Sequence, residues 1–143
     1  MLKAVVDTNI FVSSLLSGKG RPAGIINLWR DARFILVTSP SIISEINGVL
    51  QRPTIKEKYC ISGELIDKLI LLLEKDALLV PGLSNVSGAV PEDPSDEIFL
   101  SAALDAEAHF VVSGDRHLLG LGEFRGIPIL GVQEFFELLK KER

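Results

Sequence analysis

Four acidic residues fall where the local sequence pattern would hold a carboxylate in a fixed position: Asp7, Glu45, Asp96 and Asp115. Each lies beside a predicted strand end or helix start, and alternating strand–helix folds place ligands beyond the carboxyl ends of their parallel strands. Carboxylates gathered there repel each other at neutral pH unless a cation lies between them. An oxygen-only cluster suits Mg²⁺ or Mn²⁺, and these ions commonly serve phosphate-ester chemistry.

Two of these acids also have a purely structural interpretation as helix or turn caps. The stretch 93–96 has the pattern of a helix start, with Asp93 as N-cap, Pro94 at the first position and Asp96 in the first turn. Acids in a first helical turn are favoured by free N–H groups and by the helix dipole. Asp115 could similarly cap the turn that follows residues 110–113. At these two positions the sequence is compatible with a capping role and a metal-binding role at the same time.

The structural interpretation is weaker for the other two acids. Asp7 ends an apolar run and could cap the next helix, but Thr8 and Asn9 can already do so. Glu45 interrupts the apolar face of its helix, where a carboxylate needs a cation or a partner such as a basic residue in a salt bridge. We therefore predict a functional role for both residues.

The elements that must position these acids alternate along the chain. Apolar runs predict five strands, at Leu2–Val6, Phe34–Thr38, Ala77–Val80, Phe110–Ser113 and Ile127–Leu130. Periodic apolar positions and caps predict helices at Ile10–Leu16, Ala23–Arg33, Pro40–Leu50, Thr54–Cys60, Glu64–Asp76, Asp93–Glu107 and Gln133–Lys141. Glycine and proline predict loops at Ser17–Pro22 and Pro81–Pro91. This alternation predicts an α/β fold with a parallel sheet covered on both faces.

Length and composition fit one globular domain over residues 1–143, with 47% hydrophobic and 24% charged residues. The single cysteine, Cys60, excludes an internal disulfide framework and a Cys-rich zinc site. The longest apolar stretch, Leu69–Leu73, is far too short to cross a bilayer, and the N-terminus shows no signal peptide. We therefore expect a soluble cytoplasmic protein with no membrane contact.

The net charge of −4 argues against a nucleic-acid partner, because nucleic-acid binders usually show a basic footprint. Bound cations would cancel part of that charge if several acids are metal ligands. The remaining basic residues could still form a local patch; they include Lys19, Arg21, Arg30, Arg33, Arg52, Lys56, Lys58 and Arg116.

Three sequence blocks and one further acid resemble a known family. The opening block Val5–Phe11 is similar to the first signature of PIN-domain nucleases, and the block Asp93–Ala103 is similar to their third acidic block. The block Val111–Leu119 resembles the fourth, and Glu45 matches the second acid. The resemblance extends over the whole chain. The sequence departs from it at His117, where close relatives often carry another acid.

The resemblance implies a three-layer α/β/α fold with a five-stranded parallel sheet of order 3-2-1-4-5. It implies a Mg²⁺- or Mn²⁺-dependent ribonuclease in which Asp7, Glu45, Asp96 and Asp115 are both metal ligands and catalytic residues. Asn9 and Ser113 match polar positions beside them, and we expect both to contact the substrate, with Arg116 steadying a phosphate. Many small members are VapC-like toxins, so the resemblance also implies an antitoxin partner. The mean hydropathy of +0.33, together with the dimers common in this family, leads us to expect a homodimer to which apolar helix surface at 40–50 or 64–74 contributes.

Two other functions remain as alternatives. A receiver-type signalling module is also small, doubly wound and Mg²⁺-binding. It would need an acid pair near the end of the first strand, where only Asp7 is present, and a Lys ending the fifth strand, where Leu130 precedes Gly131. A PIN-like scaffold without activity is the second alternative, and the intact set of four acids argues against it.

Overall fold

The computed structural model describes residues 1–17 and 20–141. Its strands are β1 (Lys3–Val6), β2 (Ile35–Thr38), β3 (Leu78–Leu79), β4 (Phe110–Val112), β5 (Glu123–Phe124) and β6 (Ile127–Leu130). Its α-helices are α1 (Thr8–Ser17), α2 (Gly20–Arg30), α3 (Pro40–Leu50), α4 (Pro53–Lys58), α5 (Gly63–Asp76), α6 (Glu97–Ala106), α7 (Arg116–Leu121) and α8 (Val132–Lys141). A short 3₁₀ helix, Pro94–Asp96, leads into α6.

The strands form one sheet of order β3-β2-β1-β4-β6-β5. Strand β1 lies in the centre, where Val5 is opposite Val37 of β2 and Val111 of β4. The pairs β2–β3 and β4–β6 are also parallel, whereas β5 pairs with β6 antiparallel. The predicted order 3-2-1-4-5 is therefore confirmed, with β6 as the predicted fifth strand and β5 as an additional edge strand.

Both faces of the central strands are covered. Successive strand residues point to opposite faces of a sheet, yet Ala4, Val5 and Val6 are at most 3% exposed. The adjacent pairs Leu36–Val37 and Val111–Val112 are buried as well. Helix α6 packs across β1, β2 and β4. The three-layer α/β/α architecture follows, and it holds the carboxyl ends of the central strands rigidly.

The structure differs from the predicted elements at three short segments. The loop predicted at 17–22 is shorter, because α1 extends through Ser17 and α2 begins at Gly20; residues 18 and 19 lie outside the described residues. Helix α7 and strand β5 were not predicted, since six and two residues are too few to display a helical or strand period. Among the helices that the structure describes, none has the length and apolar character that a bilayer span requires.

The long connection from β3 to α6 is held in place by Asp105 of α6. Its carboxylate accepts hydrogen bonds from the backbone N–H groups of Gly82, Leu83 and Ser84 and from the Ser84 hydroxyl. The Ser84 hydroxyl and these N–H groups hold the pKa of Asp105 below its usual range. The Ser101 hydroxyl donates to the carbonyl of Ser84, 2.8 Å away. These contacts fix the start of the connection whose C-terminal end contains Asp93 and Asp96.

Candidate active site

A cavity of about 90 Å³ opens just beyond the carboxyl end of β1. A cavity of this size holds a few water molecules or a partly hydrated ion. It is lined by Asp7, Thr8, Asn9, Glu45, Val49, Arg52, Asp96, Phe99 and Asp115. The fold thus brings together all four acids that the sequence singled out, from positions as far apart as residues 7 and 115.

Asp7 is the most firmly held of the four. Its backbone N–H extends the sheet by donating to Val112 O, 3.0 Å away. Its Oδ1 accepts from the N–H of Ile10 at 2.9 Å, so Asp7 itself caps α1. Its Oδ2 accepts from the Ser113 hydroxyl and from the N–H of Gly114. Burial raises the pKa of Asp7 and these hydrogen bonds oppose that rise, while the charge on Asp115 adds to it.

The cap of α1 differs from the prediction, which gave that task to Thr8 or Asn9. Thr8 is buried, and its hydroxyl donates to Oε2 of Glu45 instead. Glu45 is partly buried on α3 and makes no salt bridge within the part of the chain that the structure describes. A hydroxyl, not a basic residue, therefore orients this carboxylate where it faces the cavity.

Asp115 has both of the roles that the sequence left open. Its Oδ1 accepts from the N–H groups of His117 and Leu118, at 2.8 and 3.2 Å, and so caps α7. Its own N–H donates to the Ser113 hydroxyl at 2.9 Å. The carboxylate nevertheless lines the cavity. Capping therefore fixes the position of an acid that stays available to a ligand.

Asp96 does not act as a side-chain cap. The capping contacts at this helix start come from Asp93, whose Oδ1 accepts from the N–H and hydroxyl of Ser95. Asp96 makes no capping hydrogen bond to a described residue. Its Oδ2 is buried and has no hydrogen-bond partner among the described residues. A buried carboxylate oxygen without a partner is costly, so this oxygen is open to a ligand that would relieve that cost.

The electrostatics of the cavity are concentrated at Asp96. Burial, together with the charges on Asp115, Asp93, Asp7 and Glu45, raises the pKa of Asp96 to about 7. All of these neighbours disfavour a negative charge at Asp96. At neutral pH a proton or a bound cation at Asp96 would offset this repulsion.

The oxygens present suit a divalent metal ion. One carboxylate oxygen each from Asp93, Asp96 and Asp115 lies within 4.8 Å of the others. Hard divalent ions prefer carboxylate oxygens, and Mg²⁺ is usually held by one or two carboxylates and several waters. The unpartnered Oδ2 of Asp96 is where such an ion would supply the missing contact.

The predicted substrate-contact residues Asn9, Ser113 and Arg116 differ in their positions relative to the cavity. Asn9 is exposed and lines the cavity, where its amide can reach a bound molecule. Ser113 is fully buried, so the predicted substrate contact does not fit its position; its hydroxyl instead connects Asp7 to the backbone of Asp115. Arg116 is exposed at the first position of α7 and lies outside the set of residues lining the cavity.

Three residues of the site were not assigned to it from the sequence. Thr8 orients Glu45, Asp93 adds a carboxylate beside Asp96, and Arg52 lines the cavity. Arg52 lies beyond the end of α3, at the extended N-cap position of α4, so no helical periodicity in the sequence links it to Glu45.

A doubly wound parallel sheet with clustered carboxylates beyond its central strands defines an α/β protein with an acidic cation site. The family can be stated more closely. Residues 3–117 match the family model of the PIN domain, so the chain belongs to the PIN-domain family, a family of nucleases. This membership excludes the receiver-type alternative.

Other proteins are similar to this chain in sequence or in structure. Uncharacterized protein MJ1680 of Methanocaldococcus jannaschii is 29% identical over 120 residues, which are 84% of this chain and 75% of that protein. The structure of VapBC2 from Rickettsia felis, bound to a DNA fragment from their promoter, superposes with a TM-score of 0.60 at 13% identity, covering 91% of this chain and 98% of that chain. FitAcB from Neisseria gonorrhoeae gives 0.49 at 14% identity, with the same coverage. The VapBC2 superposition shows a shared fold.

Proposed function

We propose that this chain is a Mg²⁺- or Mn²⁺-dependent endoribonuclease that hydrolyses RNA phosphodiester bonds. The observation that supports the proposal best is the buried Oδ2 of Asp96, which has no partner among the described residues and lies among carboxylates in a PIN fold. Asp7 and Asp96 are the proposed direct ligands. Glu45 ligates or orients water, and Asp115 completes the site. The structure adds Asp93 as a further candidate ligand.

A divalent ion bound here would lower the pKa of a water molecule and offset the charge on the scissile phosphate. The chain's own residues perform the positioning. Hydrogen bonds from Ile10, Ser113 and Gly114 fix both oxygens of Asp7, and the α7 backbone fixes Oδ1 of Asp115. Such fixed charges need no reorganisation during the reaction. Asn9 and Arg116 are the proposed contacts to the RNA.

The products test the reaction type. We expect wild-type protein with Mn²⁺ to cut single-stranded RNA into fragments that have a 5′-phosphate and a 3′-hydroxyl. These are the products when a water-derived hydroxide attacks phosphorus and the P–O3′ bond breaks, so that the 3′-oxygen leaves without participation of the 2′-hydroxyl. The measurement is end-group analysis of the fragments, with DNA of the same sequence as comparison substrate. Fragments ending in a 2′,3′-cyclic or 3′-phosphate, or cleavage of DNA alone, would contradict the proposal.

We further propose that the chain is the toxin of a toxin–antitoxin pair that acts in the cytoplasm, with an antitoxin protein as partner. The support is family membership together with a fold shared with a chain of VapBC2. Expression from an inducible promoter would then arrest growth, and Asp7→Asn would relieve that arrest. Unimpaired growth at a verified level of wild-type protein would argue against the toxin role.

We also propose that the chain forms a homodimer. The groove between α3, α5 and β3 has a volume of about 340 Å³ and includes Ile43, Ile70 and Leu79 among its lining residues. Leu79 is 46% exposed and Leu71 of α5 is 57% exposed. Large apolar side chains in such a groove favour association of two copies, as does the positive mean hydropathy of +0.33.

Substitution of Leu79 tests the dimer. We expect light scattering to show a dimer for wild type at micromolar concentration and mainly monomer for Leu79→Glu, because a charge would be buried in the interface. Leu83→Glu is the matched control, since Leu83 is 83% exposed and does not line the groove. A monomeric wild type would contradict the dimer, as would equal effects of the two substitutions.

A further inference from the structure

Arg52 has an unusual environment for a cation. Of the described residues that line the acidic cavity, Arg52 is the only one with a positive charge. Its side chain is exposed and makes no hydrogen bond or ion pair in the part of the chain described by the structure. Arg52 follows α3 as the N-cap residue of α4, and neither Glu45 of α3 nor the other acids of the cavity form an ion pair with it among the described residues. The five guanidinium donors are therefore free to bind a ligand.

The ligand suited to this position is an anion. A phosphodiester approaching the cavity meets Asp7, Glu45, Asp96 and Asp115, all of which repel it. A bound divalent ion would offset part of that repulsion at one phosphate. Arg52 supplies a second positive charge at the same cavity, and a guanidinium binds phosphate oxygens in a bidentate manner.

The chain beyond Arg52 continues the positive charge. Helix α4 begins at Pro53, directly after Arg52, and Lys56 and Lys58 lie in its last turn. None of the six residues of α4 is fully buried, and only Ile55 among its apolar residues packs against the core, so most of the helix surface faces solvent. The segment 52–58 has three cations and one acid, Glu57, in a chain whose net charge is −4. We call residues 52–58 the basic segment.

We propose that Arg52 binds the RNA phosphate next to the scissile one, and that the single strand leaves the cavity along the basic segment. Arg52 is then a substrate-binding residue, and Lys56 and Lys58 contact phosphates farther along the strand. This inference rests on the proposed ribonuclease function and identifies its substrate path. It also explains how a chain with net negative charge can bind RNA, since the positive charge is local.

The salt dependence of RNA binding tests this path. The variants are Arg52→Gln, Arg52→Lys and Lys58→Gln. Lys75→Gln is the matched control, because exposed Lys75 lies in the last turn of α5, which leads into the start of β3, at the end of the sheet opposite the cavity. Fluorescence anisotropy of a labelled single-stranded RNA is followed in Ca²⁺ at several salt concentrations, with RNA integrity checked on a gel, and cleavage is followed in Mn²⁺.

For Arg52→Gln we expect roughly tenfold weaker binding. We also expect the salt slope, which is the slope of the logarithm of the RNA-binding constant against the logarithm of the salt concentration, to be smaller in magnitude by about 0.7, the change for one lost phosphate contact on a single strand. Arg52→Lys should restore most of the slope and part of the affinity. Lys58→Gln should reduce the slope with a smaller loss of cleavage, and Lys75→Gln should match wild type. The Mn²⁺-induced rise in melting temperature should persist in every variant, which shows that the fold and the acidic site are intact.

Three outcomes would overturn the inference. Wild-type affinity and salt slope in Arg52→Gln would show that Arg52 does not contact RNA. An unchanged slope with tighter Mn²⁺ binding would show that Arg52 only offsets the charge of the carboxylates. A wild type that neither binds nor cleaves RNA would overturn the proposed function and this inference with it, whereas the first two outcomes leave the proposed function intact.

Discussion

Asp96→Asn should reduce RNA cleavage by at least about 100-fold, the scale expected when a group that holds or directly supports a catalytic metal is altered. The amide has nearly the same shape as the carboxylate, and Asp96 makes no side-chain capping bond to a described residue, so the start of α6 should form normally. The amide lacks the charge that a divalent ion requires. The Mn²⁺-induced rise in melting temperature should therefore shrink together with the cleavage rate.

The same substitution should stabilise the metal-free protein at neutral and alkaline pH. The pKa of Asp96 is about 7 in the folded protein, against an ordinary value of 3.8. Because the folded state binds this proton more tightly than the unfolded state, the free energy of unfolding falls as pH rises from about 4 to about 7. An asparagine side chain does not titrate, so the Asp96→Asn variant loses this part of the pH dependence.

The gain at pH 8 should be roughly 1–2 kcal/mol, less than the full pKa difference implies, since solvent screens a partly exposed carboxyl group. The measurement is thermal melting in EDTA between pH 4 and pH 8, for wild type and Asp96→Asn. Glu92→Gln is a suitable control, because Glu92 is exposed and does not line the cavity. Equal melting curves at pH 8, with wild-type cleavage in Mn²⁺, would remove Asp96 from the site.

The sheet could be predicted from the sequence because its central strands are short apolar runs. Strands β1, β2 and β4 are buried on both faces, and this burial requires the continuous apolar residues that the sequence shows. Serine N-caps can also be predicted from the sequence. An example is Ser39, which precedes Pro40 and whose hydroxyl accepts a hydrogen bond from the N–H of Ile42 at the start of α3. Strand β5 left no such pattern, because two residues on an exposed edge need not be apolar.

The grouping of the four acids followed from the fold, whereas their individual contacts did not. Topology places the residues after parallel strands at one edge of the sheet, and the structure has Asp7 and Asp115 there. Which group donates to which carboxylate depends on side-chain packing between distant segments. The bond from Thr8 to Glu45 and the proximity of Asp93 to Asp115 are examples, and no local pattern predicts them.

Removing the metal should have the largest effect of all. The candidate site has only oxygen ligands, including Asp93, Asp96 and Asp115, and its carboxylates repel one another without a cation. Mg²⁺ and Mn²⁺ bind such sites reversibly, so a chelator should strip them. We expect cleavage to fall to background in EDTA and to return in full when Mn²⁺ is added back, because the chain's own hydrogen bonds keep Asp7 and Asp115 in place without the ion.

The most direct test of the account is cleavage of a mixed panel of single-stranded RNAs by exhaustively dialysed protein, in EDTA and after addition of Mn²⁺, with Asp7→Asn as the inactive control. We predict that wild type cleaves RNA only after Mn²⁺ is added, at a Mn²⁺ concentration that also raises the melting temperature, and that Asp7→Asn cleaves under neither condition. Full cleavage in the chelator would contradict a metal-dependent mechanism, and intact RNA in Mn²⁺ would identify the chain as an inactive PIN-like scaffold.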